Sequence, residues 1–144
     1  KPPRLLTTWQ PVVVGTSGAV SALGLAASVL GALLIGVVAS LLLALDGLLR
    51  KYTFPAEAMG LMLRAPVIAL VGGMIGSLAD SLLGAVAQGI YYCERCGKET
   101  ESAKHRCGEV TRHVRGWKWL DNDWVNFVSS AVGGLAAFIA ARLM

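Results

Sequence analysis

The sequence predicts an all-α integral membrane protein with about three transmembrane helices and a small polar loop. Three observations predict it. Of the 144 residues, 55% are hydrophobic and 15% are charged, against roughly 25% charged in an ordinary soluble domain. Mean hydropathy is +0.61. The apolar residues fall into three long runs, about 19–45, 65–90 and 124–143, and a helix needs roughly 20 such residues to cross a bilayer.

The N-terminal arm, Lys1 to Val14, reads as extended, because Pro2, Pro3 and Pro11 each remove an amide donor. Trp9 suits a membrane interface. Gly15-Thr16-Ser17-Gly18-Ala19-Val20-Ser21 follows, rich in glycine and hydroxyls and leading into the first apolar run. Two readings are open: N-capping by Thr16, Ser17 or Ser21, or a phosphate cradle of backbone amides at a helix N-terminus.

The first span carries Ser21, Gly24, Ser28 and Gly31 at helical spacing, a small-residue face suited to close packing. Asp46, Arg50 and Lys51 end it in water. Tyr52 to Leu63 is read as a short connection whose apolar part lies along the interface. The second span opens after Arg64 and closes near Ile90. It contains Asp80, and a carboxylate at bilayer depth costs several kcal/mol and usually has a task. Gly73, Ser77, Asp80, Ser81, Gly84 and Gln88 share one helical stripe, so Asp80 faces a partner helix or a wet cavity. A polar interhelical bond is the plainer alternative.

Residues 93–118 are polar and mixed in charge. Cys93-Glu-Arg-Cys96 followed by His105-Arg-Cys107 offers four ligands in the types and spacing of a tetrahedral zinc site. Closed four-ligand sites are structural and fold loops too small to have a core. His113 is an alternative ligand, and free thiols are the competing reading. Trp117, Trp119 and Trp124 lead into the third span as interface anchors. Asp121, Asn122, Asp123 and Asn126 sit among them. Asp123 and Asn126 share a helix face and could aim at one Mg²⁺, or the group supplies a helix cap.

With three spans, nine Lys and Arg residues of the arm and the Cys/His loop lie on one side and four on the other. The positive-inside bias then puts the arm and the loop in the cytoplasm. An odd cysteine count fits a reduced compartment. No basic helix stripe with interleaved aromatics suggests nucleic-acid binding. Loop amides for phosphate and carboxylates for Mg²⁺ are the parts that phosphoryl transfer needs.

Together, GTSGAVS (15–21), GSLADSLLGAVAQ (76–88), the CxxC/HxC loop and GWKWLDNDWVNFVSS (116–130) resemble an integral-membrane family that includes plant phytyl-phosphate kinase. The resemblance implies a Mg²⁺-dependent kinase, distantly akin to CTP-dependent polyprenol and phytol kinases, that converts a prenyl monophosphate to the diphosphate. It implies Asp80 and Asp123 as catalytic residues. Gly15, Thr16, Ser17, Gly18, Ser21, Ser81, Asn122 and Asn126 become substrate- or phosphate-binding, and Asp80, Asp121 and Asp123 become Mg²⁺ ligands. Family members usually carry earlier spans with an Ala-Asp-Thr-Trp-Ala-Ser-Glu type motif, and Ala79-Asp80-Ser81 looks like its second-half counterpart. The chain is therefore expected to be the C-terminal part of a longer protein, in one membrane domain, with an N-terminal half or other subunits as partners. The alternative function is a non-catalytic subunit packed in a larger membrane complex. An ion or solute carrier ranks below both.

Overall fold

The computed structural model describes residues 1–50 and 56–144. Two short strands, β1 (Arg4–Leu5) and β2 (Ala19–Val20), precede two long helices, α1 (Ala22–Arg50) and α2 (Ala56–Val86). Strands β3 (Ile90–Cys93), β4 (Lys98–Thr100) and β5 (Arg112–Arg115) follow, and α3 (Asn122–Leu143) ends the chain. All three helices are long and apolar enough to cross a membrane.

The structure departs from the sequence reading at several points. First, α1 starts at Ala22 because Ala19 and Val20 pair antiparallel with Leu5 and Arg4, which occupies their backbone groups. Second, α2 starts at Ala56, so the expected connection is helical from there on; residues 52–55 lie outside the described residues. Third, α2 stops at Val86, and Ile90 belongs to β3. Fourth, the polar loop is a three-stranded antiparallel sheet in the order β4-β3-β5, which the all-α expectation did not include.

The described chain divides into two compact units. One comprises Lys1–Ala22 with Leu78–Ser130, the other Leu23–Ser77 with Ala131–Met144.

In the Leu23–Ser77/Ala131–Met144 unit, helices pack on small residues. Facing α2, α1 presents Ser28, Ala32, Gly36 and Ser40, one every four residues. Ser28 Oγ lies 3.1 Å from Ser77 Oγ. A Cβ added at Gly73 would come within 2.7 Å of the Ala32 methyl, and one at Gly36 within 2.4 Å of Pro66 Cα. Of the expected stripe, Ser28 faces α2, whereas a Cβ added at Gly31 would meet nothing within 4 Å among the described residues. On its other side α2 meets α3, where Gly72 approaches Gly133 O and Ala137. Such contacts let backbones close to van der Waals distance where lipid supplies no hydrophobic drive.

Pro66 sits inside α2. It has no N–H, so Met62 O loses the donor that a helix supplies four residues on. The Ser40 hydroxyl of α1 reaches that carbonyl at 2.6 Å. A neighbouring hydroxyl thereby replaces the missing rung, as an apolar medium requires.

In the other unit, Ala87, Leu120 and Val125 form a buried cluster, with Leu83 packed on it. Ile90 and Cys93 are also buried. The chain leaving α2 is tied to the chain approaching α3 by Trp117 N to Ala87 O at 2.8 Å and Gly89 N to Leu120 O at 2.9 Å.

Candidate functional site

The unit of Lys1–Ala22 and Leu78–Ser130 holds most of the residues singled out by sequence. Residues 15–18 form a turn before β2, so α1's N-terminus is not what faces their amides; Ser21 alone directly precedes that helix. Thr16 Oγ1 donates back to Val13 O at 2.9 Å. Ser17 Oγ donates to Gln88 Oε1 at 2.5 Å. Gly18 holds φ +80°, and a Cβ there would come within 2.3 Å of the Ala85 backbone nitrogen. Only glycine permits both that dihedral and that approach.

Gln88 is almost fully buried. Its Oε1 is used by Ser17, while its Nε2 finds no acceptor among the described residues. Arg115, at the end of β5, closes the arrangement. Its guanidinium donates to Gly84 O at 3.2 Å, Ala85 O at 3.0 Å and Ser17 O at 3.4 Å. One cation thus satisfies carbonyls in the last turn of α2, where no intrahelical donors remain, and fastens the turn to that helix end. Sequence reasoning counted Arg115 only as loop charge. Its one signal is its place at the end of a strand, just before Gly116.

Asp80 is half-buried. Ser129 Oγ lies 3.4 Å from Asp80 Oδ1 and also donates to Asn126 O. Asp121 is the N-cap of α3, its Oδ1 accepting from the backbone of Asp123 at 3.1 Å and Trp124 at 3.0 Å. The cap reading therefore holds for Asp121. Asn122, Asp123 and Asn126 are exposed, and Ser81 is half-buried. Asp80, Asp121 and Asp123 do not converge as a ligand group among the described residues, where Cys93, Cys96, His105 and Cys107 are the group that does.

Those four ligand atoms lie within 4.8 Å of one another. Cys93 Sγ and Cys107 Sγ are 3.7 Å apart, and His105 Nδ1 is 3.1 Å from Cys107 Sγ. Two thiolates on a tetrahedral ion at about 2.3 Å would stand roughly 3.8 Å apart, so the pair is already spaced for a shared metal. The set is chemically suited to a soft divalent ion. β3 supplies Cys93, the turn after it Cys96, and the loop before β5 His105 and Cys107. Without metal, hydrogen bonds from the His105 ring and the Glu109 backbone hold Cys107 down at about 6. Sharing a proton with Cys107, together with burial, pushes Cys96 up to about 11. His113 is not part of this group; its ring meets Tyr91 edge-on at 5.3 Å.

The aromatic residues near α3 are more than half exposed, and Trp117 and Trp119 stack at 5.5 Å. That suits a polar–apolar boundary.

This arrangement sits in a chain that matches the family described as integral membrane protein DUF92 over residues 1–134. The chain belongs to that family. It is 35% identical to Protein PGR of Arabidopsis thaliana over 139 residues, which is 96% of this chain and 45% of the plant protein. It is also 31% identical to the uncharacterized membrane protein MJ0933 of Methanocaldococcus jannaschii over 133 residues, 92% of this chain and 37% of that protein. The chain thus spans less than half the length of these relatives. No solved structure matches it.

Proposed function

We propose that this DUF92 chain is part of a membrane-embedded lipid-phosphate kinase, transferring a phosphoryl group from a nucleoside triphosphate such as CTP to a prenyl monophosphate. The observation that carries the reading is the gathering, within one compact unit, of the glycine–hydroxyl turn, the Asp80 end of α2 and the Asp/Asn start of α3. The resemblance to phytyl-phosphate kinase supplies the reaction type. A lipid-phosphate oxygen attacks the γ-phosphorus, the bond to the β-bridging oxygen breaks, and the nucleoside diphosphate leaves with that electron pair. Catalysis of this step is positioning and charge neutralisation.

Mg²⁺ is usually held by one or two carboxylates plus substrate phosphates. The separation of Asp80 from Asp121 and Asp123 is compatible with that, since phosphate oxygens complete the shell. Asp123 and Asp80 are the residues assigned to it, with Asp121 contributing the oxygen its cap leaves over. The Cys/His group holds zinc in a structural role, in which it anchors the loop carrying β4 and β5. The charge bias puts this unit on the cytoplasmic side, and an N-terminal half completes the site.

Asp80→Asn and Asp123→Asn in the full-length protein should each abolish nucleotide-dependent labelling of a prenyl phosphate while leaving the melting temperature in detergent within a few degrees. Retained turnover in both variants would sink the proposal. The glycine-to-glycine contact of Gly72 with Gly133 favours a second reading, a non-catalytic subunit whose polar residues only pack helices. Under that reading Asp80→Asn disrupts assembly instead of turnover.

A further inference from the structure

Three openings in the Lys1–Ala22/Leu78–Ser130 unit are not explained by the metal ligands or by Asp80. The first, about 380 Å³, has Gly15 and Ser17 on one wall and Thr100, Glu101 and Arg106 on the other. Ile90 is the one large apolar side chain in its lining. The second, about 520 Å³, shares Glu101 with the first and is bounded by Lys118, Asp121 and Asp123. The third, about 360 Å³, shares Asp121 and Asp123 with the second and is completed by Trp124 and Phe127. Shared lining residues make the openings neighbours. Their character runs from polar, through charged of both signs, to aromatic.

A prenyl chain has no counterpart in the first opening, whose groups are hydroxyl, carboxylate and guanidinium. A nucleoside does. Carboxylates such as Glu99 and Glu101 accept from ribose hydroxyls or a base amino group, and Ser17 and Arg106 donate to the phosphate nearest the sugar. The second opening offers Lys118 for a further phosphate and two aspartates for the Mg²⁺ that accompanies it. The third joins aromatic rings to those same aspartates, which suits a lipid whose head is a phosphate.

We infer that the opening between Ser17 and Arg106 seats the nucleoside of the phosphoryl donor, with its phosphates passing Glu101 toward Lys118 and the lipid phosphate approaching along Trp124. This rests on the kinase reading and adds where each substrate lies. One consequence is that the metal loop shapes the donor site, because His105 is both a metal-ligand candidate and part of the first opening's lining.

The test is calorimetric titration of the full-length protein in detergent micelles with Mg²⁺–CTP, and separately with a short-chain prenyl monophosphate. Arg106→Gln and Lys118→Gln should each weaken nucleotide binding about tenfold, the scale of one lost hydrogen bond between charged groups. They should leave prenyl-phosphate affinity within about twofold. Trp124→Ala should do the reverse. Unchanged nucleotide affinity in both charge variants, or loss of the lipid instead, overturns the placement. Inorganic phosphate displacing CTP at equal concentration overturns the nucleoside assignment in favour of a plain anion site. Wild-type protein that binds no nucleotide and shows no turnover defeats the kinase reading itself, an outcome distinct from misplacement. Where Arg106→Gln loses wild-type metal content or melting temperature, Thr100→Val, which removes a hydroxyl from the same lining, takes its place: it should weaken nucleotide but not prenyl-phosphate binding, and unchanged nucleotide affinity overturns the placement.

Discussion

In metal-free protein the Cys/His loop should present two thiols of very different reactivity. Cys107 is held at about 6, chiefly by its hydrogen bond from His105, and Cys96 is raised to about 11, chiefly by its bond with Cys107. At pH 7 roughly nine-tenths of Cys107 is thiolate, against roughly one part in ten thousand of Cys96. Intrinsic nucleophilicity falls as pKa falls, with a Brønsted slope of about 0.4–0.5, so five units return roughly a hundredfold to Cys96. The net expectation is that Cys107 reacts about a hundredfold faster. The assay is iodoacetamide labelling at pH 7 after chelation, quenched over time and read by peptide mass spectrometry. The pH dependence has a fixed sign. Cys107 labelling is nearly flat above pH 7 and falls below about pH 6, whereas Cys96 labelling gains tenfold per unit up to about pH 11. Metal-loaded protein should protect both, and native protein should contain about one zinc per chain. Equal labelling rates for Cys96 and Cys107 in stripped protein would refute the hydrogen-bond scheme. Rapid labelling before chelation would refute the metal site.

Other perturbations probe the backbone arrangement. Gly18→Ala forces a side chain into a left-handed dihedral that costs about 1–2 kcal/mol and against Ala85 backbone that cannot yield, so melting in detergent should fall measurably; an unchanged melting temperature refutes the close approach. Arg115→Met leaves three backbone carbonyls without their cation and should cost about 3 kcal/mol, with protease cleavage rising between residues 12 and 18. Arg115→Lys should rescue only part of this, since an ammonium lacks the planar fork. Ser40→Ala alone should destabilise by about 1 kcal/mol, but in a Pro66→Ala background, where the helix regains its own donor, it should be nearly neutral; additive losses would show that Ser40 does not serve Met62.

The spans were legible because length and hydropathy decide membrane crossing almost alone. The clustering of Cys93, Cys96, His105 and Cys107 was legible because residue type and spacing carry it directly. What escaped the sequence were features set by partners far away along the chain. The start of α2 was hidden by Arg64, which read as a boundary; an exposed Arg can extend its stem along the helix, and Ser40, 22 residues before Met62, supplies what Pro66 removes. On α1, Gly31 fits the helical period as well as Ala32 and Gly36 do, and only the position of α2 separates them. For Asp121 the sequence left a ligand and a cap both open, and only its contacts with Asp123 and Trp124 show that one of its oxygens makes the cap. Gln88 was noted for its stripe, yet its partner Ser17 lies 71 residues away, beyond any local pattern.

The contact between Ser40 and Met62 also bears on the order in which the chain enters a bilayer. A helix normally carries its whole hydrogen-bond ladder with it and can cross alone. α2 does so at a cost, because among the described residues the carbonyl of Met62 is satisfied from α1. Until that neighbour arrives, the carbonyl faces hydrocarbon or draws water inward, and α2 is held back at the interface or kinked. α1 leaves the ribosome first and waits with the hydroxyl in place. Synthesis from N- to C-terminus is thus the direction in which this pair can complete itself, and a rearranged gene that delivered α2 before α1 would insert it poorly.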